Sequence, residues 1–334
     1  MIFNAENILL IGSILLFVSI VVSKTGYRFG IPTLLVFLLV GMLFGSDGLG
    51  LQFHDAGEAQ FIGMMALSII LFSGGMDTKY SDIKPVLPQG ILLSTFGVLL
   101  TTIFTGFFIY WISGFSNVSI TMSLMTAMLL AATMSSTDSA SVFNILRSQS
   151  MNLKHNLRPM LELESGSNDP CSYMLTAIIL SIMGGKISGG AIVYLIFAQF
   201  AYGLIFGFVI AIGAKLVLQH FKFSTEGFDA AFVLAVAVLA YALPSAIGGN
   251  GYLSTYIVGI ILGNSDIKNK KSMVHFFDGL TGLMQMLIFF LLGLLSFPSA
   301  LPKVFPTALA ISLFLMLIAR PVSYTHLRAH ETDS

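Results

Sequence analysis

The sequence predicts an all-α polytopic membrane protein with about eleven transmembrane helices. Three observations lead there. Of its 334 residues 56% are hydrophobic and only 10% are charged, against about 25% charged in soluble chains. The apolar residues gather into eleven runs, most of them near the roughly 20 residues that a helix needs to cross a bilayer. Lys and Arg fall almost wholly in alternate connections between those runs. The 16 basic and 16 acidic side chains balance, and nothing in that total points to a nucleic-acid partner.

The first run, 8–23, has no basic segment before it, and another apolar run follows at once. It therefore reads as a membrane helix and not as a cleaved leader. Runs 32–45, 61–75 and 88–111 follow. The fifth and sixth, 120–146 and 157–183, carry most of the polar residues considered below. The series continues with 191–217, 228–243, 252–263, 273–297 and 304–322. Runs 32–45, 228–243 and 252–263 are short, so their helices are expected to extend into flanking residues. The pairs Gly41/Gly45, Gly203/Gly207 and Gly259/Gly263 have the small-xxx-small spacing that lets helices approach closely. No strand-like alternation competes, and the connections leave no room for a soluble domain. Cys171 is the one cysteine, so no internal disulfide can form.

Short cytoplasmic loops collect Lys and Arg. Alternate connections, beginning with the first, hold Lys24, Arg28, Lys79, Lys84, Arg147, Lys154, Arg158, Lys215, Lys222, Lys268, Lys270 and Lys271, which is 12 basic residues. The other connections hold 2, Lys186 and Lys303. This asymmetry supports the helix count and predicts a multi-pass protein with its N-terminus outside and its basic loops cytoplasmic. The apolar pattern stops abruptly after residue 323. The segment 324–334 (YTHLRAHETDS) resembles translated adapter or vector sequence. The expected division is a transmembrane domain over 1–323, truncated in its eleventh helix, and a non-native tail over 324–334.

A charge inside the bilayer costs at least ~2.5–3.5 kcal/mol, so an intramembrane ionisable group marks a functional site by default. Asp138, Glu162, Glu164 and Asp169 are such groups. At 1.5 Å per residue, Asp138 lies about 13 Å and Asp169 about 18 Å from the cytoplasmic ends of the fifth and sixth runs. These runs are consecutive and antiparallel, so two carboxylates can meet near the bilayer midplane. Around Asp138 the chain reads Thr133-Met134-Ser135-Ser136-Thr137-Asp138-Ser139-Ala140-Ser141. Hydroxyls in such a run compete with the backbone for hydrogen bonds, which fits an unwound, cavity-lining break. In the sixth run Ser165 and Asp169 share a helix face, and Pro170 frees the carbonyl of Gly166. Carboxylate, hydroxyl and carbonyl oxygens suit a dehydrated alkali cation. The bland alternative is that these carboxylates pair with Arg or Lys for packing alone. Arg320, deep in the last run, needs an acidic partner, and Glu164 is the candidate. Glu162, nearer the helix end, is expected to be solvated.

Thr137-Asp138 followed by Glu164-Ser165-x-x-Asn168-Asp169 resembles the paired signature of the NhaP branch of the cation:proton antiporter superfamily, the sodium/hydrogen exchangers. The resemblance runs over residues ~8–323 and includes Leu71-Phe72-x-Gly74-Gly75, Gly259-x-x-x-Gly263-Asn264, Phe290-Leu291-Leu292-Gly293 and Arg320-Pro321. It implies an inverted-repeat antiporter fold of about thirteen helices with a broken helix five, of which about eleven are present. It implies that Asp169 binds the cation or the proton, that Thr137, Asp138 and Ser165 help ligate the cation, and that Glu164 pairs with Arg320 beside Asn168. It also implies a homodimer. Two departures stand out. The family usually has Pro after the Thr-Asp pair where this chain has Ser139, and many relatives carry an acidic residue where it has Ser73.

The expected function is exchange of K+ or Na+ for H+ by alternating access. The Gly74-Gly75-Met76-x-Thr78 pattern leans to the potassium/proton subgroup. Protonated and cation-bound Asp169 are both neutral, and Asn168 beside it carries no charge, so exchange is expected to be electroneutral. No cofactor is expected, and no metal beyond the transported alkali cation. The chain is not expected to be an enzyme: an intramembrane aspartyl protease would want Gly-x-Gly-Asp, which is absent. The alternatives are a cation channel or a non-functional truncated fragment of the antiporter. His54, His155, His220 and His275 lie in connections and do not suggest a metal site.

Overall fold

The computed structural model describes residues 10, 12–14, 17, 33–51, 53, 55–115, 121–139, 141–142, 146, 157–185, 189–221, 223 and 227–323. Most of the first run, the tail 324–334 and residues 140 and 143–145 of the fifth run lie outside these residues. Every described element is helical. They are α1 (Thr33–Phe44), α2 (Ala56–Asp77), α3 (Tyr80–Ser113), α4 (Leu124–Met134) and α5 (Leu157–Met183), then α6 (Gly189–His220), α7 (Phe228–Ala246), α8 (Gly251–Gly263), α9 (Lys270–Leu294) and α10 (Pro298–Ser323).

Among the described residues, the 6 helices α2, α3, α6, α7, α9 and α10 are long and apolar enough to cross a membrane, while α1, α4 and α8 are shorter apolar helices. Helix α5 has 27 residues, ample length, but its first half is polar. The short runs behave differently from one another. The eighth grows to Ala246, as expected. The ninth stays at 13 residues because Asn250 caps its start, its Oδ1 accepting the Leu253 N–H at 3.1 Å.

The chain divides into two compact units, residues 1–70 with 275–304, and residues 71–274 with 305–334. In the first, α1 crosses α9 at two glycines. A Cβ placed on Gly41 would lie 2.8 Å from the Gly293 Cα, so neither residue could carry a side chain there. Leu51, Phe290 and Leu294 form the core beside this crossing, with Val40 and Phe44 packed on it. Asp47 accepts the Ser299 N–H at 2.9 Å. Hydrogen bonds from the Ser299 hydroxyl and N–H hold the Asp47 carboxyl below its ordinary range.

In the second unit α8 is the centre, packed by α6, α7 and α5. Gly203 and Gly207 of α6 face Asn250, which caps α8, and Ser254 within it. The residues of α2 in this unit cross α8 at Gly75 and Gly259, each of whose added Cβ would sit 3.1 Å from the other's Cα. Asn264 fixes the end of that crossing. Its Nδ2 donates to the Thr78 carbonyl and its Oδ1 accepts the Tyr80 N–H, both at 2.8 Å. Two of the glycine motifs singled out in the sequence therefore meet each other. A separate cluster joins α3, α4 and α10 through Ile109, Ala127, Ala131 and Ile311, with Phe108 stacked on Phe314 at 4.0 Å.

Candidate functional site

The fifth run breaks where its hydroxyls are densest. Helix α4 begins at a serine cap, Ser123 accepting the Thr126 N–H, and ends at Met134. Residues 135–138 leave the helical path, and helical bonding resumes with the Val142 N–H on the Asp138 carbonyl at 3.1 Å. A break exposes carbonyls that a continuous helix would satisfy. Here side chains take them over. The hydroxyls of Ser135 and Ser172 both donate to the Ala132 carbonyl. Arg320 Nη2 donates to the carbonyls of Ser136 at 2.7 Å and Ser135 at 3.4 Å. A cation at a helix C-terminus is favourable, because the dipole puts partial negative charge there. The arginine follows directly on a π-helical turn, Leu315–Ala319, which changes the facing of the last residues of α10.

Opposite the break lies the polar first half of α5. Thr137 and Ser165 share a hydrogen bond at 2.9 Å. Asn168 Nδ2 donates to Thr137 Oγ1 at 2.7 Å and to Glu164 Oε1 at 3.0 Å. Glu164, Ser165 and Asn168 are all buried, and Asn168 Oδ1 accepts no hydrogen bond from the described residues. Asp169 is half-buried, and its Oδ2 accepts from the Ser139 hydroxyl at 2.8 Å. Asp138 is exposed. It stands where helical bonding resumes, and the Ser141 hydroxyl donates to its carboxylate. Glu162 pairs with Arg158 one turn earlier at 3.0 Å.

Helix α8 holds α5 from behind. The Tyr256 ring lies on Gly166, where an added Cβ would be 2.6 Å from Tyr256 Cζ. Asn250 Nδ2 donates to the Pro170 carbonyl at 2.8 Å, one residue beyond Asp169. The Asn250 N–H in turn bonds the Gln199 carbonyl of α6 at 3.1 Å. At the next turn of α5, Tyr173 meets Tyr252 edge to face and Tyr252 lies tilted against Tyr241, with centroids 4.9 and 4.8 Å apart.

The structure thus brings Thr137, Ser165, Asn168 and Glu164 into one hydrogen-bonded set, with Asp169 and Arg320 each bonded to the same stretch 135–139. Asp138 lies in that stretch, with its carboxylate engaged by Ser141. Three contributors went unrecognised in the sequence. Ser139 reads there only as one hydroxyl of the break and as a missing proline, Ser172 is not singled out, and Asn250 is 80 residues from the carbonyl it serves. An Asn just before an apolar run is a helix-start signal, and it was the available clue to Asn250.

Comparison with known proteins shows the family and the fold. The family described as "Sodium/hydrogen exchanger, transmembrane" matches residues 12–329. The chain is 35% identical over 326 residues to the K(+)/H(+) antiporter NhaP2 of Shewanella sp. (strain MR-4), covering 96% of this chain and 55% of that protein. It is 36% identical over 324 residues to the K(+)/H(+) antiporter NhaP of Alkalimonas amylolytica, covering 95% and 54%. The chain therefore spans about half the length of these relatives. The sodium proton antiporter MjNhaP1 from Methanocaldococcus jannaschii has the same fold, with a TM-score of 0.79 at 23% identity, over 96% of this chain and 77% of that one. With the family's pattern matched along nearly the whole chain, and the NhaP proteins its similar relatives, this polypeptide belongs to the sodium/hydrogen exchanger family.

Proposed function

We propose that this chain is the ion-exchanging membrane part of a bacterial cation:proton antiporter, and that Asp169 is the single group for which the cation and the proton compete. The observation that carries the reading is a half-buried carboxylate midway along α5, facing a break lined with hydroxyl and carbonyl oxygens. A bare carboxylate at that depth costs at least ~2.5–3.5 kcal/mol to carry through the bilayer. Neutralised by H+ or by K+ or Na+, it does not. The loaded forms can move between the two faces and the empty one is held back, which is obligatory exchange by alternating access.

The remaining residues divide the work. Thr137, Ser165 and the Asp138 segment supply further oxygens to the cation. Asn168 holds that set in place without adding charge, and Glu164 balances Arg320 across it. Because one charge is neutralised in either half of the cycle, exchange is one-for-one and electroneutral. The names of the similar relatives and the Gly74-Gly75-Met76-x-Thr78 pattern favour K+ over Na+. The N-terminus lies outside the plasma membrane, by the distribution of Lys and Arg.

Everted vesicles carrying the full-length gene product test this. Addition of K+ or Na+ should collapse a respiration-driven pH gradient, and Asp169→Asn should abolish the response. A mutant that still collapses the gradient would rule out Asp169 as the shared site. A channel would conduct the cation with no matching proton flux.

A further inference from the structure

Ser139 has no role in the reading above, yet its hydroxyl donates directly to the Asp169 carboxylate, at 2.8 Å from Oδ2, with the Ser136 side chain as a second hydrogen-bonding neighbour of that carboxylate. It is 1% exposed, so bulk water does not share that contact. Its place follows from the break, because Ser139 is where the chain re-enters helical conformation after 135–138. The backbone there is anchored from both sides. Arg320 holds the carbonyl of Ser136, and the Asp138 carbonyl accepts the Val142 N–H. A proline at this position, the residue usual in the resembling family, would offer no donor.

We infer that Ser139 is a positioning residue of the ion site that sets the balance between proton and cation at Asp169. The inference rests on Asp169 being the shared site. A donor aimed at a carboxylate stabilises its charged form and opposes protonation. A serine hydroxyl carries one hydrogen and two lone pairs and can rotate about its C–O bond. Facing the empty site, it donates to Oδ2. When a cation arrives, the hydrogen turns away and the oxygen joins the ligand set. When Asp169 takes a proton, the hydroxyl loses its charged acceptor. Ser139 therefore favours two of the three states and disfavours the protonated one.

The other charged or titratable groups that face Asp169 are Asp138 from the break, Glu164 and Cys171 from α5 and Tyr252 from α8, while Arg320 of α10 lies on the carbonyls of 135–136. None of them is altered by Ser139→Ala. That substitution raises the proton affinity of Asp169, so the acid limb of the antiport profile moves to higher pH. The expected shift is about one unit, tenfold in proton affinity, the size of one lost hydrogen bond to a charged group. At fixed pH on that limb the apparent KM for K+ or Na+ rises several-fold.

The experiment measures the pH profile and cation KM of exchange in everted vesicles carrying the full-length gene product with Ser139→Ala, Ser139→Cys or Ser139→Thr, beside Asp169→Asn. The inference holds if Ala shifts the acid limb, Cys, a weaker donor, shifts it less, and Thr restores the midpoint. Should Ala fail to assemble in the membrane, the Cys and Thr pair gives the same comparison. Profiles that superimpose for all three, with Asp169→Asn inactive, overturn the role of Ser139 and leave the shared site standing. Exchange that survives Asp169→Asn overturns both.

Discussion

At the scale of single residues, the proposed site sets one half-buried carboxylate, Asp169, beside a hydrogen-bonded set of polar side chains. Asn168 is the hinge of that set, because its amide donates to both Thr137 and Glu164 in a place without bulk water. Asn168→Ala deprives the buried Glu164 and the half-buried Thr137 of a donor at once. The expected cost is about 1–3 kcal/mol, since each group keeps its desolvation penalty and loses its bond. A thermal melt of the detergent-solubilised protein should fall by several degrees. Thr137→Ala combined with Asn168→Ala should cost less than the sum of the two, as bonded neighbours do. Strict additivity, or an unchanged melt for Asn168→Ala, would falsify the contact's role. The sequence made Asn168 and Asp169 legible because a polar insertion in an apolar run has few explanations. It could not do the same for Ser139. A serine bonds whatever the local backbone presents to it, and that backbone is broken.

At the scale of elements, the break in the fifth run was readable from its hydroxyls, and Pro170 from its place inside a helix. What secures the broken end was not, because Arg320 reaches it from about 185 residues away. Separation in sequence also hid the Asn250 clamp on α5, 80 residues from the carbonyl it serves. Arg320 was expected to need a carboxylate. The contacts it makes with the Ser135 and Ser136 carbonyls give its charge a second use, at the negative end of α4. Arg320→Gln should therefore destabilise the protein by up to ~2 kcal/mol, the upper range for a cation at a partly buried helix terminus. Arg320→Lys should recover most of that, since the contact at Ser136 is made by one nitrogen. If Gln melts like the wild type, the charge does not serve the helix end. If Gln and Lys fall equally, the guanidinium shape matters more than the charge.

At the scale of the whole molecule, composition alone made the bilayer legible as the solvent, because too little charge is present to cover a water-facing surface. The glycine pairs made close helix crossings legible as a type, but not which helices meet, since every apolar helix offers similar partners. The consequence for transport lies in the charge count. On the proposed mechanism, one carboxylate shared by H+ and a monovalent cation, with a neutral Asn168 beside it, moves no net charge per cycle. The steady-state cation ratio across the membrane should then equal the proton ratio at any membrane potential. Exchange of two protons for one cation would carry one net charge. A potential of 100 mV would supply ~2.3 kcal/mol to that cycle and displace the cation ratio about fifty-fold. Proteoliposomes holding the full-length protein can separate these cases, with the potential set by a permeant lipophilic anion and the ion gradients fixed. The expected outcome is a cation ratio that follows the pH difference alone. A displacement that grows with the imposed potential would mean that a second titrating group, with Asp138 and Glu164 the nearest candidates, crosses with Asp169.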